Sequence, residues 1–149
     1  MKIQKMTEMY RRFPVVVNFD LSVEGVIEDG GFKLDTGLIN SQNYPTARSG
    51  TQEIVIQIYF ECFMVLEDVL SELDRQGLRP AELHELLALG KSYPDLQRGF
   101  PVAALGSVWK TPHGYLDVPC LYRSDRRVLG QIGFSTRWRG PLRFAAVPK

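Results

Sequence analysis

The residues that could do chemistry in this chain are few and far apart. Cys62 and Cys120 have no CxxC spacing and no histidine nearby, which argues against a zinc site or a thiol nucleophile with its base. His84 stands between Leu83 and a glutamate in a helical pattern and is predicted to be a surface or boundary residue. His113 stands in a Thr-Pro-His-Gly turn and should be exposed.

Two glutamates come closest to a paired acid. Glu82 and Glu85 fall one helical turn apart, and without a partner they are predicted to be solvated charges that suit the N-terminal half of a helix. Trp109 is expected in the core of a short strand and Trp138 partly so. No hydrolytic set assembles, so the sequence predicts a protein that is not an enzyme and has no metal or cofactor.

Residues 111–148 use a different set of amino acids from the rest of the chain. They include no Lys, Glu, Met or Asn, and their charges are six arginines against two aspartates, namely Arg123, Arg126, Arg127, Arg137, Arg139 and Arg143 against Asp117 and Asp125. Arg, Tyr, Trp, Phe, Ser and Gly suit a contact surface, because planar or short side chains lose little rotamer entropy on binding. This tract is therefore predicted to be a ligand-binding surface.

Length and charge favour one domain with an uneven charge distribution. With 149 residues, 44% hydrophobic and 23% charged, the chain suits a single domain over 1–149. Residues 107–149 carry eight Lys or Arg against two Asp, a net +6, and the first 106 residues carry −5, which together make the overall +1. The basic end keeps a nucleic-acid or anion ligand open as an alternative.

No targeting signal stands out in the sequence. The N-terminal residues place charges on both sides of a short apolar run without a small-residue cleavage pattern, and no run is long enough to span a membrane. A cytoplasmic location is the default expectation, and surface display stays open.

Local patterns predict alternating strands and helices in the first part of the chain. A β-branched run predicts a strand over 13–21, and strict alternation predicts a half-buried strand over 52–61, with a loop over 40–50 before it. Ser22 is predicted to cap a short helix that ends at the glycine pair beginning with Gly30.

Further along, helical spacing predicts two main helices, over 65–76 and over 80–89, the second opened by Pro80 and closed by Gly90. An apolar strand is predicted over 102–109, and the short apolar segments that follow predict a meander of strands. The fold class is α+β with a strand-rich, loop-rich C-terminal part.

Several blocks of the chain resemble one known group of proteins. LRPAELHELLALG at 78–90, ALGSVW at 104–109 and RFAAV at 143–147 are similar to the variable target proteins of diversity-generating retroelements. The resemblance covers the chain from Leu73 onward and the front only by the order of elements.

This resemblance implies a C-type-lectin-like fold, similar in outline to formylglycine-generating enzymes, whose Arg-x-Pro-Thr helix start and C-terminal Gly-Phe-Arg strand hold comparable places. It also implies that adenine-directed mutagenesis produced the amino-acid set of the C-terminal tract. Neither cysteine belongs to a pair suited to formylglycine chemistry, and the Glu-Pro-Asn and Trp-Asn-Asp patterns of calcium-dependent lectins are absent. Neither of those two activities is therefore implied.

We expect a fixed scaffold over 1–109, a variable ligand-binding region over 110–143 and a terminal strand end over 144–149. The expected ligand-binding residues are Tyr115, Asp117, Cys120, Tyr122, Ser124, Asp125, Gly130, Ser135, Arg137, Arg139 and Leu142. Alternation predicts that all of them except Cys120, which is left open, project from one continuous face. The residues predicted to point inward are Val118, Leu121, Leu129, Ile132 and Phe144.

Three classes of function remain at this point. The first is a binding protein for an unknown protein or glycan. The second is a nucleic-acid or anion binder that uses the six arginines. The third is an enzyme related to the formylglycine-generating enzymes.

Overall fold

The chain folds into a mixed α+β structure, as predicted, and the computed structural model describes residues 9–60, 66–96, 101–123, 127–133 and 143–149. The strands are β1 (Met9–Asn18), β2 (Lys33–Leu34), β3 (Thr51–Phe60), β4 (Leu78–Pro80), β5 (Val102–Ala103), β6 (Trp109–Lys110), β7 (Leu116–Arg123), β8 (Arg127–Gly133) and β9 (Arg143–Pro148). The helices are α1 (Val23–Gly30), α2 (Leu66–Arg75) and α3 (Leu83–Ser92). In this described part of the chain, each helix is too short to cross a membrane.

The strands form one mixed sheet in the order β1-β3-β9-β5-β7-β8-β2, with β4 beside β9 and β6 beside β7. Neighbouring strands are antiparallel except that β5 runs parallel to β9 and β2 runs parallel to β8. The C-terminal strand β9 therefore lies in the middle of the sheet, and the predicted meander is wrong beyond the β7–β8 hairpin.

Helices cover both faces of this sheet. On one face, α1 and α3 pack on a core that includes Leu86 of α3 and Ala145 of β9. On the other face, α2 packs on a second core that includes Leu73 of α2 and Phe144 of β9. Successive strand residues point to opposite faces, so β9 contributes to both cores and all its residues except the last are buried.

Local capping explains why α1 begins and ends where the sequence predicts. The hydroxyl of Ser22 accepts a hydrogen bond from the backbone N–H of Gly25 at 2.9 Å, which satisfies one of the free donors of the first turn. Gly31 follows the helix with φ of 67°, a left-handed conformation that glycine adopts without steric cost.

The start of α3 differs from the prediction. Pro80 does not open the helix: it ends β4, where it pairs with Ala146 of β9. The helix begins at Leu83 with Glu82 as its N-cap residue. A proline at an exposed strand end and a proline at a helix start leave the same sequence signal, and only the pairing with β9 distinguishes them.

Two glycines are needed for close packing rather than for turns. A Cβ on Gly90 would come within 2.7 Å of Leu121 and 2.9 Å of Phe32, so Gly90 lies inside α3 against the sheet and does not end the helix. A Cβ on Gly106 would come within 2.6 Å of the Pro80 carbonyl oxygen. Because the chain leaves the sheet to reach this contact, the single strand predicted over 102–109 is instead the two short strands β5 and β6.

A buried ion pair fixes the junction of β4 and α3. The side chain of Glu85 is fully buried, and its carboxylate accepts hydrogen bonds from Arg79 at 2.9 and 2.6 Å and from the backbone N–H of Glu82 at 2.8 Å. The prediction that Glu85 is solvated is wrong, because a guanidinium and a free helix N–H converge on its carboxylate.

Glu82 extends this network to the loop over 40–50. Its carboxylate accepts hydrogen bonds from Thr46 Oγ1 and from Arg48 Nε, both at 2.8 Å. The prediction of a free, solvated Glu82 is therefore also wrong, and the contact ties a long loop to the first turn of α3.

His84 is a core residue, not the surface residue predicted from the sequence. It is buried beside Phe19, with the ring centroids 5.8 Å apart. Its Nε2 lies 2.8 Å from the carbonyl oxygen of Leu21, so Nε2 carries the proton and donates it. His84 thus links α3 to the segment that precedes α1.

We expect Glu85→Ala to lower the free energy of unfolding by about 3–5 kcal/mol, because it leaves the Arg79 guanidinium and the Glu82 N–H without their acceptor. Urea unfolding measures this change. Glu72→Ala is the matched control, since its partner Arg75 is 71% exposed and the pair should contribute less than about 1 kcal/mol. Equal costs for the two variants would contradict the structural role of Glu85.

We expect Leu86→Ala to cost about 2–5 kcal/mol, because Leu86 is fully buried between α3 and the sheet and its truncation leaves a cavity. Leu38→Ala, at a position that is 46% exposed, should change stability by no more than about 0.5 kcal/mol. A small effect at Leu86 would show that α3 is not a core helix.

Candidate ligand-binding surface

The β7–β8 hairpin contains most of the predicted ligand-binding residues that the structure describes. It is an antiparallel pair in which Asp117 lies opposite Gly133 and Cys120 lies opposite Gly130. Residues directly opposite each other share one face of the sheet, and neighbours along a strand point to opposite faces. The register therefore decides which predicted residues lie together.

Four of the five residues predicted to point inward are fully buried, namely Val118, Leu121, Leu129 and Phe144, and Ile132 is partly buried. They do not share one face, however. Leu121 and Leu129 belong to the core under α1 and α3, whereas Val118 and Phe144 belong to the core under α2.

The prediction of one continuous ligand-binding face is wrong for the described residues. Tyr122 and Gly130 lie on the face of the hairpin that carries Val118, whereas Asp117 lies on the opposite face. Tyr115 precedes β7 in a turn. Side chains do alternate between the two faces of the hairpin, but both faces carry core residues, Leu121 and Leu129 on one and Val118 and Cys120 on the other.

Cys120 is a core residue and not a ligand contact. Its side chain is fully buried in the core under α2. Burial raises the pKa of the Cys120 thiol to about 12, and the negative charge of Asp35 acts in the same direction. Cys120 therefore packs as a small neutral residue, which corrects its assignment to the ligand-binding set.

Other predicted residues lie outside the described part of the chain. These are Ser124, Asp125, Ser135, Arg137, Arg139 and Leu142, together with Cys62, Arg126 and Trp138. In sequence, the six candidates among them fall between β7 and β8 and between β8 and β9. Arg143 is described and is buried, with its guanidinium donating to the carbonyl oxygen of Leu96, so it is not part of an exposed basic surface.

The turn before β7 presents an exposed aromatic side chain on a constrained backbone. The backbone N–H of Thr111 donates to the carbonyl oxygen of Tyr115 at 2.7 Å, and the N–H of Tyr115 donates to the Thr111 hydroxyl at 3.1 Å. Gly114 permits the turn with φ of 87°. Tyr115 is 72% exposed, and the next residue, Leu116, is 39% exposed. Val108, which directly precedes β6, is 40% exposed. His113 is exposed in this turn, as predicted.

Trp109 is the first residue of β6 and directly follows the exposed Val108. It pairs with Asp117 in the sheet and is partly buried against the core under α1 and α3. Its ring lies edge-on to that of Tyr44, with centroids 6.4 Å apart. Trp109 is therefore a boundary residue, partly buried, and not the core residue that the sequence predicts.

The loop over 35–44 borders the hairpin, and sequence reasoning missed its role. Tyr44 is buried, donates its hydroxyl to the Asp117 carbonyl oxygen at 3.3 Å and accepts a hydrogen bond from Gln131 at 2.6 Å. Burial raises the pKa of Tyr44 to about 12, so the hydroxyl stays neutral. The one available signal is the placement of three large apolar or aromatic residues in this loop, Leu38, Ile39 and Tyr44, of which the last two are buried.

The same loop is attached to α1 and to β8. Ser41 donates from its backbone and its hydroxyl to Glu24, and these hydrogen bonds lower the pKa of the Glu24 carboxyl. Asp35 donates its backbone N–H to the Leu129 carbonyl oxygen at 3.2 Å. The Asp35 carboxylate accepts the hydroxyl of Tyr122, so a scaffold residue contacts a residue of the predicted variable region.

A groove of about 710 Å³ lies on another part of the molecule, between β1, α1 and α3. Its walls are mainly apolar, with Val16 62% exposed. The ionisable groups that line it include His84, which donates to a backbone carbonyl, and Lys91, which pairs with Asp29 at 2.5 Å. The His84 ring and the Lys91–Asp29 pair are thus engaged by the protein itself, and Glu53 of β3 also lines the groove at an exposed position.

Within the described ranges, no three His, Cys, Asp or Glu side chains come together as a possible metal site. No family model, curated protein or solved structure matches this chain. The geometry of the hairpin end and the composition of the chain are therefore what supports a functional assignment.

The burial of Cys120 predicts that its thiol is unreactive in the folded protein. In a Cys62→Ser variant, Cys120 is the only thiol left, and a disulfide reagent such as DTNB at pH 8 should titrate it only after urea is added. The reason is that only about one thiol in 10⁴ is ionised four pH units below its pKa, in addition to steric exclusion. Reaction of the native variant within minutes would place Cys120 at the surface.

Proposed function

We propose that this protein is a non-enzymatic ligand-binding protein whose α+β scaffold presents a diversifiable surface at the β7–β8 end of the sheet. The observation that carries the proposal is the exposure of three large hydrophobic side chains near the turn between β6 and β7, namely Val108, Tyr115 and Leu116, in or beside the Arg-rich tract. Aromatic and apolar side chains exposed together are typical of contact surfaces, and aromatic and arginine anchors contribute most of the affinity there. The ligand class is therefore a protein or a glycan.

The proposal places the contact residues in turns and connections rather than on strand faces. Strand residues of β7 such as Val118 and Cys120 belong to the core, and changing them would cost stability. Tyr115 lies in the turn before β7, and Ser124, Asp125, Ser135, Arg137, Arg139 and Leu142 fall between the described strands in sequence, outside the described residues. Connections on a rigid scaffold tolerate sequence change, which a diversifiable surface requires.

The proposal includes the C-type-lectin-like fold and membership of the variable target proteins of diversity-generating retroelements. Its support is that the blocks carrying the resemblance contact one another. Arg79 and Pro80 pair with Val147 and Ala146 across β4 and β9, and the Ser107 hydroxyl accepts the Leu83 N–H at 2.8 Å. A scaffold of mutually packed fixed blocks is what a protein with a changing surface needs.

The first test is a pair of displayed libraries selected against one folded protein, such as lysozyme. The first library randomises seven positions, namely Tyr115, Ser124, Asp125, Ser135, Arg137, Arg139 and Leu142. The matched library randomises seven exposed positions that line the groove, namely Val16, Asn18, Leu21, Glu53, Val55, Lys91 and Ser92. We expect binders from the first library alone. In such a binder, truncation of a central aromatic or arginine anchor should cost about 2 kcal/mol or more. Equal yields from the two libraries would contradict the proposed location.

The second test concerns diversification and is made on the DNA that flanks the gene. We expect a reverse-transcriptase gene and a repeat that matches codons 110–143 and differs from them mainly at adenines. Flanking sequence without such a repeat would remove the retroelement part of the proposal and leave the binding function to the library test.

A nucleic-acid or anion ligand is the second candidate, because residues 107–149 carry a net charge of +6. Counterion release predicts that duplex DNA binding through six or more phosphate contacts weakens by about 10³-fold or more between 50 and 200 mM salt. We expect no such binding to a short generic duplex. Tight, steeply salt-dependent binding without a protein or glycan ligand would favour this candidate instead.

A further inference from the structure

Asp35, Tyr122 and Gly130 form a three-residue contact at the edge of the hairpin. Asp35 follows β2, and its carboxylate accepts the Tyr122 hydroxyl. Cys120 lies opposite Gly130 and Tyr122 lies opposite Val128, so Tyr122 and Gly130 are diagonal neighbours on the same face of the hairpin. The contact joins a residue of the scaffold to two residues of the predicted variable region.

Glycine is the only residue type at position 130 that leaves room for the Asp35 carboxylate and the Tyr122 ring in their present positions. A Cβ at position 130 would lie 2.5 and 2.8 Å from the two carboxylate oxygens of Asp35 and 2.8 Å from Cε1 of Tyr122. These separations are well inside van der Waals contact, so the carboxylate and the ring would both have to move. The requirement is one of space, because Gly130 is not among the glycines with positive φ.

The atoms that would have to move are the ends of flexible side chains. A residue with a Cβ at position 130 therefore displaces the Asp35 carboxylate and the Tyr122 ring without disturbing the backbone of β8. What it removes is the hydrogen bond between them. Since that bond goes to a charged acceptor, its loss is measurable.

From this geometry we infer that positions 122 and 130, two strand positions of the predicted variable region, vary as a coupled pair, with Asp35 as the fixed residue that determines which combinations are allowed. The inference rests on the proposed function for its biological meaning, because it concerns which surfaces the scaffold can present. The hydrogen bond from tyrosine at 122 to Asp35 requires glycine at 130. A larger residue at 130 is accepted when position 122 carries a short side chain that makes no bond to Asp35.

A double-mutant cycle on the whole chain tests this coupling without any ligand. The variants are Gly130→Ala, Tyr122→Ser and their combination, and Gly133→Ala is the control, because a Cβ there meets nothing within 4 Å. We expect Gly130→Ala to raise the unfolding equilibrium constant about tenfold when Tyr122 is present and less than about threefold in the Tyr122→Ser background. Gly133→Ala should have the same effect in both backgrounds.

Tyrosine titration followed by NMR is the second readout, since a general loss of stability would not move it. The hydrogen bond to Asp35 is the first cause that raises the pKa of Tyr122 to about 12. Gly130→Ala should bring this pKa down toward 10, as should Asp35→Asn, and Gly133→Ala should leave it in place.

A displayed library randomised only at 122 and 130 and sorted for protease resistance extends the test to all residue types. Among resistant clones, glycine at 130 should be enriched when tyrosine is at 122 and not when serine is at 122. Independent distributions at the two positions, or equal Gly130→Ala effects in both backgrounds, would overturn the coupling. None of these readouts uses a ligand, so a failure of the coupling and a failure of the proposed binding function are separate results.

Discussion

The buried ion pair between Arg79 and Glu85 is the constraint on which the rest of the structure depends. Charges removed from water are tolerated only when partners and hydrogen bonds compensate them. Here the Glu85 carboxylate accepts hydrogen bonds from the Arg79 guanidinium and from the backbone N–H of Glu82 at the start of α3. This arrangement holds β4, which pairs with β9, against the start of α3, which covers one face of the sheet. Through Glu82, the same junction holds Arg48 and the loop that runs to Tyr44 and the hairpin.

The central position of β9 has a direct consequence for where a ligand can bind. The sheet is covered by α1 and α3 on one side and by α2 on the other, so the inner residues of β7 serve the two cores. A protein built in this way can change its turns and connections freely and its strand residues only at the cost of stability. Gly130 and Tyr122 are an intermediate case, because they can change only together.

Four of the residues whose types could do chemistry hold the fold instead. Glu85 and Glu82 are acceptors for arginines and backbone groups, His84 donates to the Leu21 carbonyl oxygen, and the Cys120 thiol is buried and neutral. A catalytic acid, base or nucleophile needs access to substrate and a proton that it can exchange. These four groups are therefore structural in the described part of the chain.

The sequence by itself determined the features that depend on a few neighbouring residues. The Ser22 cap, the end of α1 at Gly31 and the helix α2, predicted over 65–76 and observed over Leu66–Arg75, follow from capping and periodicity, which act within one or two turns of chain. Only the tertiary structure decided how distant segments meet. Pro80 and Gly90 carry the local signals of helix ends, and they lie in a strand and inside a helix because β9 and Leu121 are their neighbours. The prediction of one continuous ligand-binding face is wrong for the same reason. Alternation shows that a strand has two faces, but which of them a helix covers depends on contacts between residues far apart in the chain.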